Sequence, residues 1–437
     1  MISTGIGLLT VACLGVRAAA ADTAAGGLAR PTPEQAAWQD MELGMFIHFA
    51  PNTWQDKEGD DRSTPLGAIN PEALDTDQWV RVAQSMGAKY IVFVAKHIGG
   101  FCMWQTDTTE YGIRNTPWRD GKGDVLADLA ASCSKRGMKL GVYLSPRDDT
   151  LGAGIGGRCA TEEAQERYNE IYRRQLTEVL SRYGDMAEVW FDGSNIIEVG
   201  DILREHAPHA VVFQGKYASI RWVGNEDGFA PDPAWNAVPE AARLAGATAA
   251  NGDPAGDAWL PIECDARTRA GWFWSSTNAD TLKRVDELME MYYRSVGHGA
   301  VLLLNATPDT SGRIPEADAA RIAAFGAEIA RRFGTPLAET TGRGDTVELS
   351  LDQPMEIDHI VAMEDIRQGE RVRAYIVEGR TDEGWRLLSQ GTAIGHKKIE
   401  PIAPVEVRAV RLRITESAAE PIIRKLAVYC TARDTRQ

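Results

Sequence analysis

The sequence is poor in several features that would place a chain in a class at once. It has six cysteines in 437 residues, at 13, 102, 133, 159, 264 and 430, and no two form a Cys-x-x-Cys pair. That spacing suits neither a zinc site nor a disulfide framework, and buried apolar thiols are the simpler reading. Basic residues are the minority, 47 Lys and Arg against 62 Asp and Glu, for a net charge of −15. Nucleic acid and anionic lipid surfaces need a basic footprint, so neither is an expected partner. After the first residues no apolar run approaches the ~20 residues of a membrane span. There is no Walker motif, no G-x-G-x-x-G after a strand and no His/Asp cluster with metal spacing, so neither a cofactor nor a metal is expected. The glycine-rich "LGAGIGG" (151–157) follows "SPRDDT" and reads as a loop.

What remains is an ordinary globular composition, 44% hydrophobic and 25% charged, in a chain long enough for one large domain and a smaller one. Residues 1–21 hold an apolar run from Ile6 to Val16 and then small residues at 18–21. This reads as a secretory leader with an Ala-x-Ala cleavage site, which implies a periplasmic or secreted protein. It lacks a basic n-region, the first basic residue being Arg17.

From about 35 to 335, short apolar runs alternate with amphipathic stretches. The runs are 45–49, 89–96, 139–145, 187–193, 210–215, 259–264 and 300–305, and the helical patterns include 75–87 and 162–184. In the latter, Tyr168, Ile171, Tyr172, Leu176, Val179 and Leu180 follow helical spacing. Repeated strand–helix units over this length predict an α/β fold, a parallel (β/α)8 TIM-like barrel. Seven strands are visible, and the eighth is expected between 216 and 258 or near 271–274. Over 338–432 the pattern changes to period-two alternation broken by turns, which predicts a C-terminal antiparallel β-sandwich. The helix at 316–334 links the two. The sandwich is expected to buttress the barrel rather than bind glycan.

In such barrels, reacting groups sit at the C-terminal ends of strands. The polar residues there are His48, Lys96 with His97, Ser145 with Arg147, Asp192, Gln214, Glu263 and Asn305. Asp192, in "EVWFDGSN", is the most pointed of these. A short carboxylate directly behind Val189, Trp190 and Phe191 is either rigidly placed to react or caps the next helix. Gly193 would leave room for a ring to approach.

Six motifs occur in order: "GMFIHFAPNTW", "VAKHIGGFCMWQT", "EVWFDGS", "RWVGNEDG", "GWFWS" and "LLLNATPDTSGRIPEAD". Together they resemble the retaining α-L-fucosidases of glycoside hydrolase family 29, most nearly the branch that prefers α-1,3/1,4-linked fucose. The resemblance implies an exo-acting enzyme on a fucosylated oligosaccharide or glycoconjugate. It places the nucleophile on Asp192 and, through the "GNE" context, the acid/base on Glu226. Glu263 remains an alternative acid/base, or a structural partner of Arg267 or Arg269. Such chemistry uses two carboxyl groups ~5 to 5.5 Å apart. The acid must hold its proton, and Trp222, Phe229 or the charge of Asp192 would help Glu226 do so. His48 and His97 are implied fucose-binding positions. Trp54, Trp104, Trp222 and Trp272 are candidates for stacking on the sugar or walling its methyl group, and Glu58, Tyr143, Arg221 and Asn225 are further candidate contacts.

Two departures stand out. Where many family members read Lys-His-His-Asp-Gly-Phe, this chain has Ile98 and Gly99 in place of the second histidine and the aspartate, and His-Phe-Gly becomes His48-Phe49-Ala50. Losing a hydroxyl partner relaxes discrimination. That keeps open a hydrolase of a related L-sugar such as an α-L-galactoside, beside a non-catalytic carbohydrate-binding protein on the same scaffold.

Overall fold

The computed structural model describes residues 27–244 and 251–432; the leader read at 1–21 lies outside them. Eight parallel strands form one sheet: β1 (Leu43–Ile47), β2 (Tyr90–Lys96), β3 (Lys139–Leu144), β4 (Met186–Trp190), β5 (Val211–Phe213), β6 (Arg221–Trp222), β7 (Ile262–Arg267) and β8 (Val301–Asn305). Their neighbour order is β5-β4-β3-β2-β1-β8-β7-β6. A single bridge between Phe213 and Ile220 joins β5 to the start of β6, which brings the two edges together as a barrel. Strands β1, β2 and β8 are buried at every residue, as expected where helices cover one face and the barrel interior fills the other.

The eighth strand is therefore the two-residue β6, within the 216–258 window. The sixth apolar run differs from its reading in a way that matters for the site. Its early part, Ala258–Trp259, pairs with Ala237–Val238 in a small antiparallel hairpin. Pro261 has no N–H for a ladder, and the barrel strand begins after it and runs on to Arg267. Glu263 is thus near the bottom of β7, not at its end.

Two apolar layers result. The outer one packs helices such as Thr76–Ser85, Val125–Arg136 and Glu162–Arg182 on the strands, through Trp79, Leu129 and Leu176. The inner one fills the barrel with Phe46, Tyr90, Val92, Tyr143, Trp190, Phe213 and Leu303, and Trp38 closes its lower end. Helix starts carry side-chain caps where the sequence offers them: Asp75, Asp124 and Thr161 each accept a first-turn N–H.

The C-terminal region has six strands: β9 (Ala338–Arg343), β10 (Thr346–Glu364), β11 (Val372–Thr381), β12 (Gly384–Gly391), β13 (Lys398–Ser417) and β14 (Ile422–Tyr429). They form one antiparallel sheet in the order β9-β14-β10-β13-β11-β12. β10 and β13 run for 19 and 20 residues, and their pairing shifts register between Ser350 and Met355 and again between Ile357 and His359. Such irregularities bend a sheet. Both halves accordingly face a shared core, with Val347, Val410 and Leu412 from one and Ile360, Leu426 and Val428 from the other. The sandwich is a single continuous sheet folded over itself. It meets the barrel through Lys397–Glu42 and Arg424–Asp40 ion pairs and the Tyr293–His359 hydrogen bond of 2.9 Å.

Among the described cysteines, Cys102, Cys133 and Cys264 are buried, whereas Cys159 and Cys430 are only half-buried. Among the described residues, no helix is long and apolar enough to cross a membrane.

Candidate active site

A cavity of about 170 Å³ opens at the C-terminal end of the barrel, lined by Phe46, His48, His97, Tyr143, Trp190, Asp192, Glu226, Asp265 and Trp272. Drug-sized ligands occupy roughly 300–1,000 Å³, so this volume suits one sugar ring. The lining alternates along the strands, as inward-facing residues must. Residues 188, 190 and 192 climb one wall as Glu, Trp and Asp; residues 263, 265 and 267 climb another as Glu, Asp and Arg.

Asp192 follows the end of β4 by two residues. The next helix, Gly200–His206, starts well beyond it and has no side-chain cap, which removes the capping role. Gly193 and Ser194 turn through positive φ, 67° and 79°, so the chain reverses immediately after the carboxylate. Ile155 of the glycine-rich loop packs beside Gly193. The Tyr143 hydroxyl donates to Asp192 Oδ2 at 2.8 Å. Burial raises the Asp192 carboxyl above its ordinary range; the Tyr143 hydrogen bond opposes this, the Glu226 charge adds to it, and Arg147 offsets it.

Glu226 comes from the loop after β6. Asn225 shapes that loop: its Oδ1 accepts from Asp227 N at 3.0 Å and its Nδ2 donates to the Phe229 carbonyl at 2.9 Å. A bridge from Asp227 to Ala266 then ties the loop to β7. The side chain of Glu226 is 43% exposed and pairs with Arg267 at 3.3 Å, and Trp272 Nε1 donates to it at 3.2 Å. The apolar cover expected from Trp222 and Phe229 is not there. Trp222 turns to Asp265, its Nε1 donating to Oδ1 at 2.6 Å, and Phe229 lies under the Arg294 guanidinium.

The two histidines lie 6.0 Å apart, ring to ring. Asn305 Nδ2 donates to the Trp272 carbonyl at 2.8 Å, so its Oδ1 faces His48 Nδ1 at 2.9 Å. His48 therefore carries its proton on Nδ1 and presents Nε2 as an acceptor. Burial pushes His48 well below the usual histidine range, helped by the charge of His97. His97 is lowered to about 4, by burial and then by Arg147; its Nδ1 is buried without a partner, and its ring stacks on Tyr143. Both rings are neutral at physiological pH.

Other residues expected at the site stand apart from the cavity. Glu263 is fully buried below it, accepting from Trp190 Nε1 at 2.8 Å and Tyr90 Oη at 3.3 Å; it does not reach the cavity, and it pairs with neither arginine. Arg267 engages Glu226, and Arg269 engages Asp318. Trp104 is fully buried and donates to Glu178 at 3.0 Å. Trp54 packs on Phe49. Arg221 points out of the barrel, where it donates to the carbonyls of Leu260 and Trp235. Glu58 acts one step removed, both its oxygens accepting from Trp272 N, at 2.8 and 3.0 Å. Neither Ile98 nor Gly99 lines the cavity. Asp60 fills the space a side chain at position 99 would take, accepting from Gln55 and Tyr111 at 2.8 Å each.

The lining residues not anticipated are Phe46, Trp190 and Asp265. Their signal was the strand alternation itself: each lies two residues before a chosen site residue or a strand end. Among the described residues, no group of three or more His, Cys, Asp and Glu side chains is gathered as a metal would need.

Comparisons with known proteins converge on one description. The family model described as alpha-L-fucosidase matches residues 66–331. Alpha-L-fucosidase 1 of Arabidopsis thaliana is 31% identical, over 91% of this chain and 87% of its own. A solved glycoside hydrolase 29 family member from an unknown rumen bacterium is 33% identical with a TM-score of 0.86, covering 94% of this chain and 79% of that one. A Ruminococcus gnavus GH29 fucosidase in complex with fucose is 27% identical with a TM-score of 0.83, covering 94% and 97%.

Proposed function

The chain belongs to the alpha-L-fucosidase family, glycoside hydrolase family 29, and from that premise we propose a retaining exo-α-L-fucosidase that releases terminal α-1,3/1,4-linked L-fucose from glycans. The observation that carries the mechanism is that Asp192 and Glu226 reach one small cavity from different strands. Asp192 attacks the anomeric carbon. The bond to the leaving oxygen breaks as Glu226 gives that oxygen its proton. Glu226 then takes a proton from water, whose oxygen displaces the Asp192 ester and frees the sugar with its configuration retained. A nucleophile must be ionised, and burial works against this; the Tyr143 hydrogen bond and the Arg147 charge favour the anion. Phe46, Trp190 and Trp272 supply apolar wall for a 6-deoxy sugar, and the neutral His48 offers its Nε2 to a hydroxyl proton. The α-1,3/1,4 preference rests on the "GNE" context of Glu226, and export on the leader at 1–21.

The test is release of nitrophenol from p-nitrophenyl α-L-fucoside by wild type, Asp192→Asn and Glu226→Gln, with azide added. Turnover by wild type, loss in both variants, and rescue by azide to opposite anomers assign both roles. Direct formation of the inverted sugar by wild type would refute the covalent intermediate. A glycan panel with α-1,2, α-1,3, α-1,4 and α-1,6 linkages tests the preference, and equal rates on all four would remove it.

A further inference from the structure

The cavity has a third carboxyl group, and the double displacement gives it no role. Asp265 lies on β7 two residues above Glu263, is 3% exposed and faces the cavity. Its Oδ1 accepts from Trp222 Nε1, which leaves the other oxygen for the cavity. We propose that Asp265 is a specificity residue, and that its free carboxyl oxygen donates a hydrogen bond to one ring hydroxyl of the bound sugar. This rests on reading the cavity as the sugar site.

A census of donors carries the argument. Tyr143 donates to Asp192, Trp190 to Glu263, Trp272 to Glu226 and Trp222 to Asp265. Each of these aromatic N–H or O–H groups at the wall already serves a carboxyl group. His48 offers an acceptor, and Asp192 has no proton to give when ionised. A sugar hydroxyl both donates and accepts, so a site lined with acceptors alone leaves hydroxyl lone pairs unmatched when water is excluded. Among the described lining residues, that leaves His97 and a protonated Asp265 to donate to ring hydroxyls, since the proton of Glu226 goes to the leaving oxygen.

The surroundings keep that proton on Asp265. Arg267, the next inward residue on β7, is engaged with Glu226. The charges that act on Asp265 are those of the carboxyl groups Glu263 and Glu226. Burial, and then the Glu263 charge, push Asp265 well above the usual carboxylate range against the Trp222 hydrogen bond. The neutral form is the one that can donate into the cavity.

The experiment compares Asp265→Asn and Asp265→Ala, with Trp222→Phe as a control for the indole alone. Substrates are p-nitrophenyl α-L-fucoside, its 2-, 3- and 4-deoxy analogues and the α-L-galactoside. Asparagine can mimic the protonated acid, so Asp265→Asn should keep kcat/KM within about threefold. Asp265→Ala should lose about tenfold or more, and that loss should vanish on one deoxy analogue, whose missing hydroxyl is the partner. An equal alanine penalty on every substrate would overturn the proposal. So would an asparagine variant that melts like wild type yet is as impaired as alanine. If wild type hydrolyses no α-L-fucoside, the proposed function fails, and calorimetric binding of L-fucose and its deoxy analogues by the same variants tests Asp265 separately. Absence of any binding overturns both.

Discussion

The barrel holds two pairs of carboxyl groups, and the contrast between them separates scaffold from chemistry. At the floor, Glu188 and Glu263 are fully buried and interact with each other. Trp38, Tyr90 and Trp190 donate to three of their oxygens, while Glu188 Oε1 has no donor. Among the described residues, no basic side chain pairs with them. Two adjacent charges in a dry interior are untenable, so the pair shares a proton, which also supplies the missing partner. At the mouth, Asp192 and Glu226 have Tyr143, Trp272, Arg147 and Arg267 around them and an opening to solvent. The residue types and strands are much the same. Depth makes one pair a brace under Trp190 and leaves the other lining an open cavity.

Substitutions can sharpen the contrast. The largest effect is expected at the mouth: Asp192→Asn should lose on the order of 10⁴-fold or more in kcat, measured on the nitrophenyl fucoside. Glu226→Gln should lose roughly 10²–10⁴-fold on a glycan, and much less on an activated aryl fucoside whose leaving oxygen needs no proton; equal losses on both would refute a general acid. Tyr143→Phe removes the hydrogen bond that favours the Asp192 anion. The acid limb of its pH–rate profile should therefore move to higher pH, and a shift to lower pH would contradict the assigned role. At the floor, the sign concerns stability. Burial raises Glu188 from 4.5 to about 7. Its protonation stabilises the fold fully below pH ~4.5, and that contribution is lost as pH rises toward 7. Glu188→Gln should flatten this part of the Tm–pH curve, with the smallest change in activity of the series; a slope identical to wild type would break the shared-proton account.

The fold was legible because its two periodicities differ. Repeated strand–helix units marked the barrel, and period-two alternation marked the C-terminal sheet. The missed strand, β6, is two residues long, too short for any periodicity. The sandwich's continuity was hidden because a bulge within a long strand reads like a turn between two strands. At the site, Asp192, His48 and His97 were legible as polar residues just past apolar runs. Glu263 was misplaced by three residues of strand register across Pro261, and the same shift concealed Asp265. Trp104 and Arg221 have the chemistry of sugar contacts, but which face of the chain they occupy is set by packing rather than by residue type. Nothing local to "HIGG" says that Asp60, far away in sequence, occupies the space beside Gly99.

The loop that carries Glu226 grows from the thinnest part of the wall. Strand β6 holds β7 through two residues and meets β5 at one bridge, whereas β2 and β3 pair along their lengths. Amide hydrogen exchange should breach the cylinder at this seam first, well before global unfolding. Glu226 would then be displaced while the strand that carries Asp192 remains intact, so under the proposed mechanism a mildly heated enzyme should fail on glycans before it fails on activated aryl fucosides.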